Sequence, residues 1–164
     1  MKLSTHRPSN AKLFRSIRWD ASRELWDPSA YRERVDINAD GFVDSTRKLQ
    51  LASLDPALFV KASIERVSFE ASSSFPRIPY AIQMHLLDRS ESQEMIIRYD
   101  GVESLSTTGL DGMLIGGVTL GCEVIQQGEL IRHAIALIAN ESVVIVARKL
   151  VFAVKPNIPA PLSD

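Results

Sequence analysis

From residue 58 to residue 154 the chain is a succession of short runs that alternate apolar and polar residues, each closed by a turn signal, and this limits the folds open to it. Residues 58–70 end in clean alternation, with Val67 and Phe69 on one side and Arg66, Ser68 and Glu70 on the other. Successive strand side chains point to opposite faces, so this is the pattern of a half-buried strand. Residues 80–86 alternate again, residues 88–92 have polar turn chemistry and residues 94–99 return as a strand, which predicts a hairpin. Asp100-Gly101 tolerates the positive φ of a tight turn, and residues 102–106 resume an extended pattern. Three more runs, 118–126, 130–139 and 143–154, are separated by Gly128 and Asn140. Turn signals ~10–12 residues apart leave no room for the crossover helices of a parallel sheet, so the expected connections are antiparallel.

Two segments interrupt this pattern. Residues 72–79 hold Pro76 and Pro79, which lack ladder donors, and three serines, so they are read as a loop. Gly112, Gly116, Gly117 and Gly121 lack the spacing of either common nucleotide fingerprint and no lysine follows, so this stretch is also read as a loop.

Before residue 57 the periodicity changes. Leu13, Phe14, Ile17, Ala21 and Leu25 fall three or four apart, which predicts a helix started by Asn10 and stopped by Pro28. Trp19 and Trp26 lie off or at the edge of that stripe, which leaves an extended reading of part of the segment open. Residues 45–54 fit a short helix capped by Asp44 or Ser45, or an edge strand. The resulting division is an N-terminal arm (1–56) with a helix and an acidic turn, an antiparallel β domain (57–154), and a tail (155–164) with Pro156, Pro159 and Pro161. The fold class is α+β, mainly β: a curved antiparallel sheet of about six or seven strands with the N-terminal helix packed on it. Phe14, Ile17 and Leu25 are candidates to cover its open side or edge.

Composition narrows the partners. The arm carries ten Lys/Arg against eight Asp/Glu and the remainder nine against twelve, for a net charge of -1 over 164 residues. A nucleic-acid partner normally requires a basic excess, so none is expected. No run approaches the ~18–20 apolar residues of a membrane span, and the polar start does not resemble a signal peptide, so a cytoplasmic protein is expected. Cys122, the single cysteine, rules out an internal disulfide framework.

The sharpest local motif is Asp36-Ile37-Asn38-Ala39-Asp40-Gly41-Phe42-Val43-Asp44. Asp36, Asn38 and Asp40 at loop positions one, three and five, with glycine at six, resemble the calcium loop of EF-hands and dockerin modules. Ca²⁺ takes six to eight oxygens, and alternate short side chains supply three while the glycine permits the turn. Asp44 at position nine adds a fourth candidate ligand. Arg47 stands at position twelve, where those loops carry a carboxylate, so the alternative is an acidic turn with side-chain to backbone bonds. Calcium is the one cofactor the chain suggests.

Elsewhere the chemistry-bearing residues are sparse. His85 falls on the face opposite Ile82, Met84 and Leu86, His133 lies within a strand-like run, and each reads as solvent-facing or satisfied by the sheet. Cys122 in a strand interior reads as a small buried hydrophobe. Adjacent Cys122 and Glu123 point to opposite faces, which keeps Cys122, Glu123 and His133 from meeting on one side. No Gly-x-Ser-x-Gly occurs and no carboxylate pair stands out, so no catalytic residue is assigned.

In strand order, residues 62–69, 96–105, 122–124, 130–135 and 143–152 resemble a group of small β-rich bacterial proteins, some of which are immunity proteins of polymorphic toxin systems. A strand ending in an aromatic residue leads there into an F/Y-x-G-V-x-S turn, matched by Tyr99-Asp100-Gly101-Val102-Glu103-Ser104, and a later strand carries R-H-x-I, matched by Arg132-His133-Ala134-Ile135. The resemblance implies a non-enzymatic domain that binds another protein, most concretely a cognate toxin. Tyr99, Asp100, Arg132 and His133 are the candidate partner-binding residues, since tyrosine and arginine are enriched at interface hot spots. The alternatives are a calcium-dependent binding module built on residues 36–44, and a small-ligand carrier or barrel enzyme with a pocket inside the sheet.

Overall fold

The computed structural model describes residues 12–23, 25–37, 45–71, 80–109 and 114–158. In chain order these form β1 (Arg18–Asp20), β2 (Leu25–Asp27), α1 (Ser29–Ile37), α2 (Ser45–Ser53), α3 (Pro56–Phe59), β3 (Ser63–Glu70), β4 (Tyr80–Leu87), β5 (Gln93–Thr108), β6 (Thr119–Gln127), β7 (Leu130–Leu137) and β8 (Ser142–Pro156). Strands β3 to β8 make one six-stranded antiparallel sheet of order β3-β4-β5-β8-β7-β6, and β1 pairs with β2 alone. None of the described helices is long and apolar enough to cross a membrane.

Alternation decides which side of each strand is buried. Ile82, Met84 and Leu86 of β4 and Met95 and Ile97 of β5 are fully buried on the inner face. Leu49 from α2 and Phe59 from α3 join that cluster. Neither helix is long enough to be stable alone, and burying such a side chain contributes about 1.5–3 kcal/mol, which fixes both against the sheet. Asp55 starts α3 by accepting the Ala57 N–H at 3.0 Å.

The long central strands β5 and β8 bend where their register shifts between Val102 and Ser104. Gly101, at φ +66, stands just ahead of this shift in a conformation that glycine adopts at no steric cost. The sheet is open, with β3 and β6 as its edges, yet it curls until the two edges touch at one end. There the Lys61 N–H donates to the Thr119 carbonyl at 2.7 Å, Thr119 to Ala62 at 2.8 Å, Ile64 to Gly117 at 2.9 Å and Gly116 to Ile64 at 2.8 Å.

The structure corrects four local expectations. The described residues among 13–25 do not form a helix: Trp19 faces Trp26 across the β1–β2 hairpin, with ring centroids 5.4 Å apart. Pro28 precedes a helix instead of stopping one, its carbonyl accepting the Arg32 N–H at 2.8 Å while Asp27 accepts the Ser29 N–H at 3.0 Å. Asp100-Gly101 is no turn, because the positive φ serves a bend inside one continuous strand, and residues 58 and 59 belong to α3 and not to the strand that follows. Residues 45–53 adopt the helical reading.

Candidate interaction face

The outer face of the sheet is divided. Over β7 it is covered by the N-terminal segment, where Phe14, Ile17, Tyr31 and Val35 pack with Ala134 and Ala136. The anchor of this cover is Glu123 on β6, fully buried. Its carboxylate accepts the backbone N–H groups of Arg15 at 3.0 Å, Ser16 at 2.6 Å and Ile17 at 3.2 Å. Arg132 approaches the same carboxylate at 3.8 Å and donates to the Leu13 carbonyl at 2.9 Å. Burial, and then the Arg15 charge, lower the Arg132 guanidinium from its ordinary value, with Glu123 opposing them.

Over β3, β4, β5 and the far end of β8 the outer face is not covered by the N-terminal segment and carries two cross-strand rows of side chains. One runs Arg66, His85, Ile96, Ala153; the other Ser68, Gln83, Arg98, Val151. His85 is mostly buried within its row. Its Nδ1 lies 2.6 Å from the Glu94 carboxylate, and Gln83 and Arg66 reach its ring nitrogens at 2.9 Å and 3.1–3.2 Å. Glu94 also pairs with Lys155 at 3.2 Å. The His85 hydrogen bond, with Lys155 behind it, holds the Glu94 carboxyl below its ordinary range. In the second row Arg98 reaches Glu70 through both terminal nitrogens at 2.9 and 3.2 Å and Asp100 through Nε at 3.0 Å. Those bonds lower the Glu70 carboxyl and raise the Arg98 guanidinium. Between the two sets of ion pairs lie Ile96, Ala153 and Val151, the last 40% exposed.

The sequence-predicted site residues scatter. Tyr99 and His133 are buried inside the sheet, at 1% and 0% exposure, so neither belongs to the surface. They meet each other there: the Tyr99 hydroxyl lies 2.6 Å from His133 Nδ1. Burial lowers His133 to about 3 and pushes the Tyr99 phenol up. Arg132 serves the N-terminal cover, and only Asp100 reaches the uncovered part of the outer face. Cys122 is buried on the inner face with its thiol pushed up by burial, opposite Glu123, as strand alternation requires. Asn38, Asp40 and Asp44 lie outside the described residues, as does the side chain of Asp36. No group that could hold a metal ion occurs among the described residues.

Sequence reasoning missed the roles of Glu123 and of the Arg98 pairs. Glu123 carries one usable signal, a carboxylate between the buried Cys122 and Val124, but its bonding partners are backbone groups that no side-chain pattern announces.

No family model matches the chain, and no curated protein matches it. Among solved structures, an uncharacterized protein from Neisseria gonorrhoeae is similar at a TM-score of 0.44 and 12% identity, over 58% of this chain and 92% of that one. At that distance the likeness bears on neither fold nor function here.

Proposed function

We propose that this chain is a protein-binding domain, acting without catalysis, whose docking face is the exposed outer surface of β3, β4, β5 and β8. The observation that carries the reading is the apolar patch of Ile96, Ala153 and Val151 set between the Glu94–Lys155 and Arg98–Glu70–Asp100 ion pairs. A desolvating centre within a charged rim is the usual anatomy of a protein interface, and the rim steers and orients the partner. The strand-order resemblance supports the narrower reading that the partner is a bacterial toxin which this chain neutralises by occlusion.

The test is affinity capture from a lysate of the source organism with tagged wild-type protein and an Ala153→Arg variant, in paired buffers with Ca²⁺ or EGTA. A stoichiometric partner retained by the wild type in both buffers, and lost by a variant with an unchanged unfolding midpoint, is the expected result. Equal retention by the variant overturns the docking face, and capture confined to the Ca²⁺ buffer moves recognition to residues 36–44.

A further inference from the structure

The two edges of the sheet are treated differently by the rest of the chain. On β6, beyond the corner where it meets β3, the Val124 N–H donates to the Tyr31 hydroxyl at 3.1 Å and the Val124 carbonyl accepts Gln50 Nε2 at 3.0 Å. Helices α1 and α2 therefore occupy this edge. On β3 the corner bonds stop at Ile64, and among the described residues 65–70 make no main-chain bond on the side away from β4. An unpaired strand edge is a template for another strand, so the occupant of this one has to be identified.

The sequence of β3 fits itself. Ile64 turns its N–H and carbonyl away from β4, toward Gly117 and Gly116. The register shift between Ile64 and Arg66 inserts Glu65 as an extra residue. From there the alternation reverses, and Val67 and Phe69 line the free edge with their main-chain groups. An antiparallel copy placed with its two-fold axis at Ser68 sets Val67 of each copy opposite Phe69 of the other, where each pair exchanges both main-chain bonds. In the same register Arg66 faces Glu70 on the outer side, twice. Shifting the axis to Val67 or to Phe69 sets a charged residue against Ser68 and loses both ion pairs, so charge selects one register. Phe69, 56% exposed in the single chain, gains an apolar neighbour in Val67 of the other copy. The Glu70 carboxylate already holds Arg98 but has lone pairs left for a second guanidinium.

We propose that a second copy of this chain pairs antiparallel along the free edge of β3 about Ser68, joining two six-stranded sheets into one through reciprocal Arg66–Glu70 pairs. The inference is independent of the docking face, because Ile96, Val151 and Ala153 remain uncovered in such a dimer.

Light scattering during size exclusion, over a concentration series, tests it with three variants. Arg66→Glu sets carboxylates against carboxylates and Glu70→Arg sets guanidinium against guanidinium, so each alone should dimerise roughly tenfold more weakly than wild type. Mixed one to one they should recover the dimer, because each then presents the charges the other lacks. Ser68→Asp, which touches neither ion pair, should give a monomer by placing two carboxylates together at the axis. A wild type that stays monomeric across the series, single variants that dimerise like wild type, or a mixture that stays monomeric would each overturn the proposal.

Discussion

The backbone N–H of Ser16 donates to the carboxylate of Glu123 at 2.6 Å, a bond that spans 107 positions of sequence. With the neighbouring N–H groups of Arg15 and Ile17 it gives three consecutive residues of a segment without regular structure their main-chain acceptor. Buried backbone donors must be satisfied, and here one side chain does for three residues what a helix turn would otherwise do.

Glu123→Gln should therefore loosen the N-terminal cover before anything else. The amide keeps one acceptor oxygen but turns a donor toward backbone donors, and Arg132 loses its counter-charge. We expect a loss of about 2–4 kcal/mol in urea unfolding. Amide exchange at residues 15–17 should accelerate more than at the inner strand β5, and uniform acceleration would contradict the local role of the carboxylate.

His133 predicts a pH dependence. Its pKa is lowered by burial from 6.5 to about 3. The unfolded chain therefore binds a proton that the folded one does not, between about pH 6.5 and 3. The stability associated with the neutral ring is complete above pH 6.5 and is lost as pH falls through that window. The contribution approaches roughly 1.4 kcal/mol per pH unit below pH 6. Urea midpoints at pH 7.5, 6.5 and 5.5 should fall more steeply toward acid for wild type than for His133→Phe, because the variant has no proton to take up there; equal slopes would contradict the assignment.

Gly101→Ala tests the bend in β5. At φ +66 a side chain is strained whatever the space, and the added Cβ would stand 3.1 Å from Cβ of Arg148. A loss of about 1–2 kcal/mol is expected, read as a fall in Tm. An unchanged Tm would mean that the strand bends without needing this conformation.

Tyr31→Phe removes the hydroxyl that accepts the Val124 N–H and bonds Ser53 Oγ at 2.9 Å. The edge of β6 is then left with an unpaired buried donor, which costs about 1–3 kcal/mol. Chemical denaturation measures it, and a Ser53→Ala control, which keeps the acceptor for Val124, should lose less.

How far the fold is legible in the sequence follows from where each segment finds its bonding partners. Strands β4, β6, β7 and β8 bury one face against the core, so Ile82, Met84 and Leu86 or Ile131, His133 and Ile135 recur with period two. That pattern survives in the sequence because neighbouring strands impose it. Phe14 and Ile17 recur with helical spacing for another reason: both pack on Ala134 and Ala136, while the backbone between them is committed to Glu123. A local pattern cannot disclose a distant acceptor. Asp100-Gly101 misled in the opposite way, since a positive φ marks a bend as readily as a reversal, and only the pairing of Val102 with Ala147 distinguishes them. The candidate face is legible in part: alternation puts His85 opposite the apolar residues of β4, but its partners Glu94 and Arg66 come from two other strands. Residue type offers Tyr99, and the R-H-x-I resemblance offers His133, as partner-binding residues, and the register turns both inward.

Strand order also governs how the chain can be made. β8 lies between β5 and β7, so the last strand of the sheet to be synthesised is the one that joins its two halves. Until residues 142–156 leave the ribosome, only the corner bonds between residues 61–64 and 116–119 can link the β3–β4–β5 meander to the β6–β7 hairpin, and β5 and β7 each present an unsealed flank to other nascent chains. Assembly must wait for that insertion, which makes the sheet slow to complete and gives a chaperone its period of greatest use.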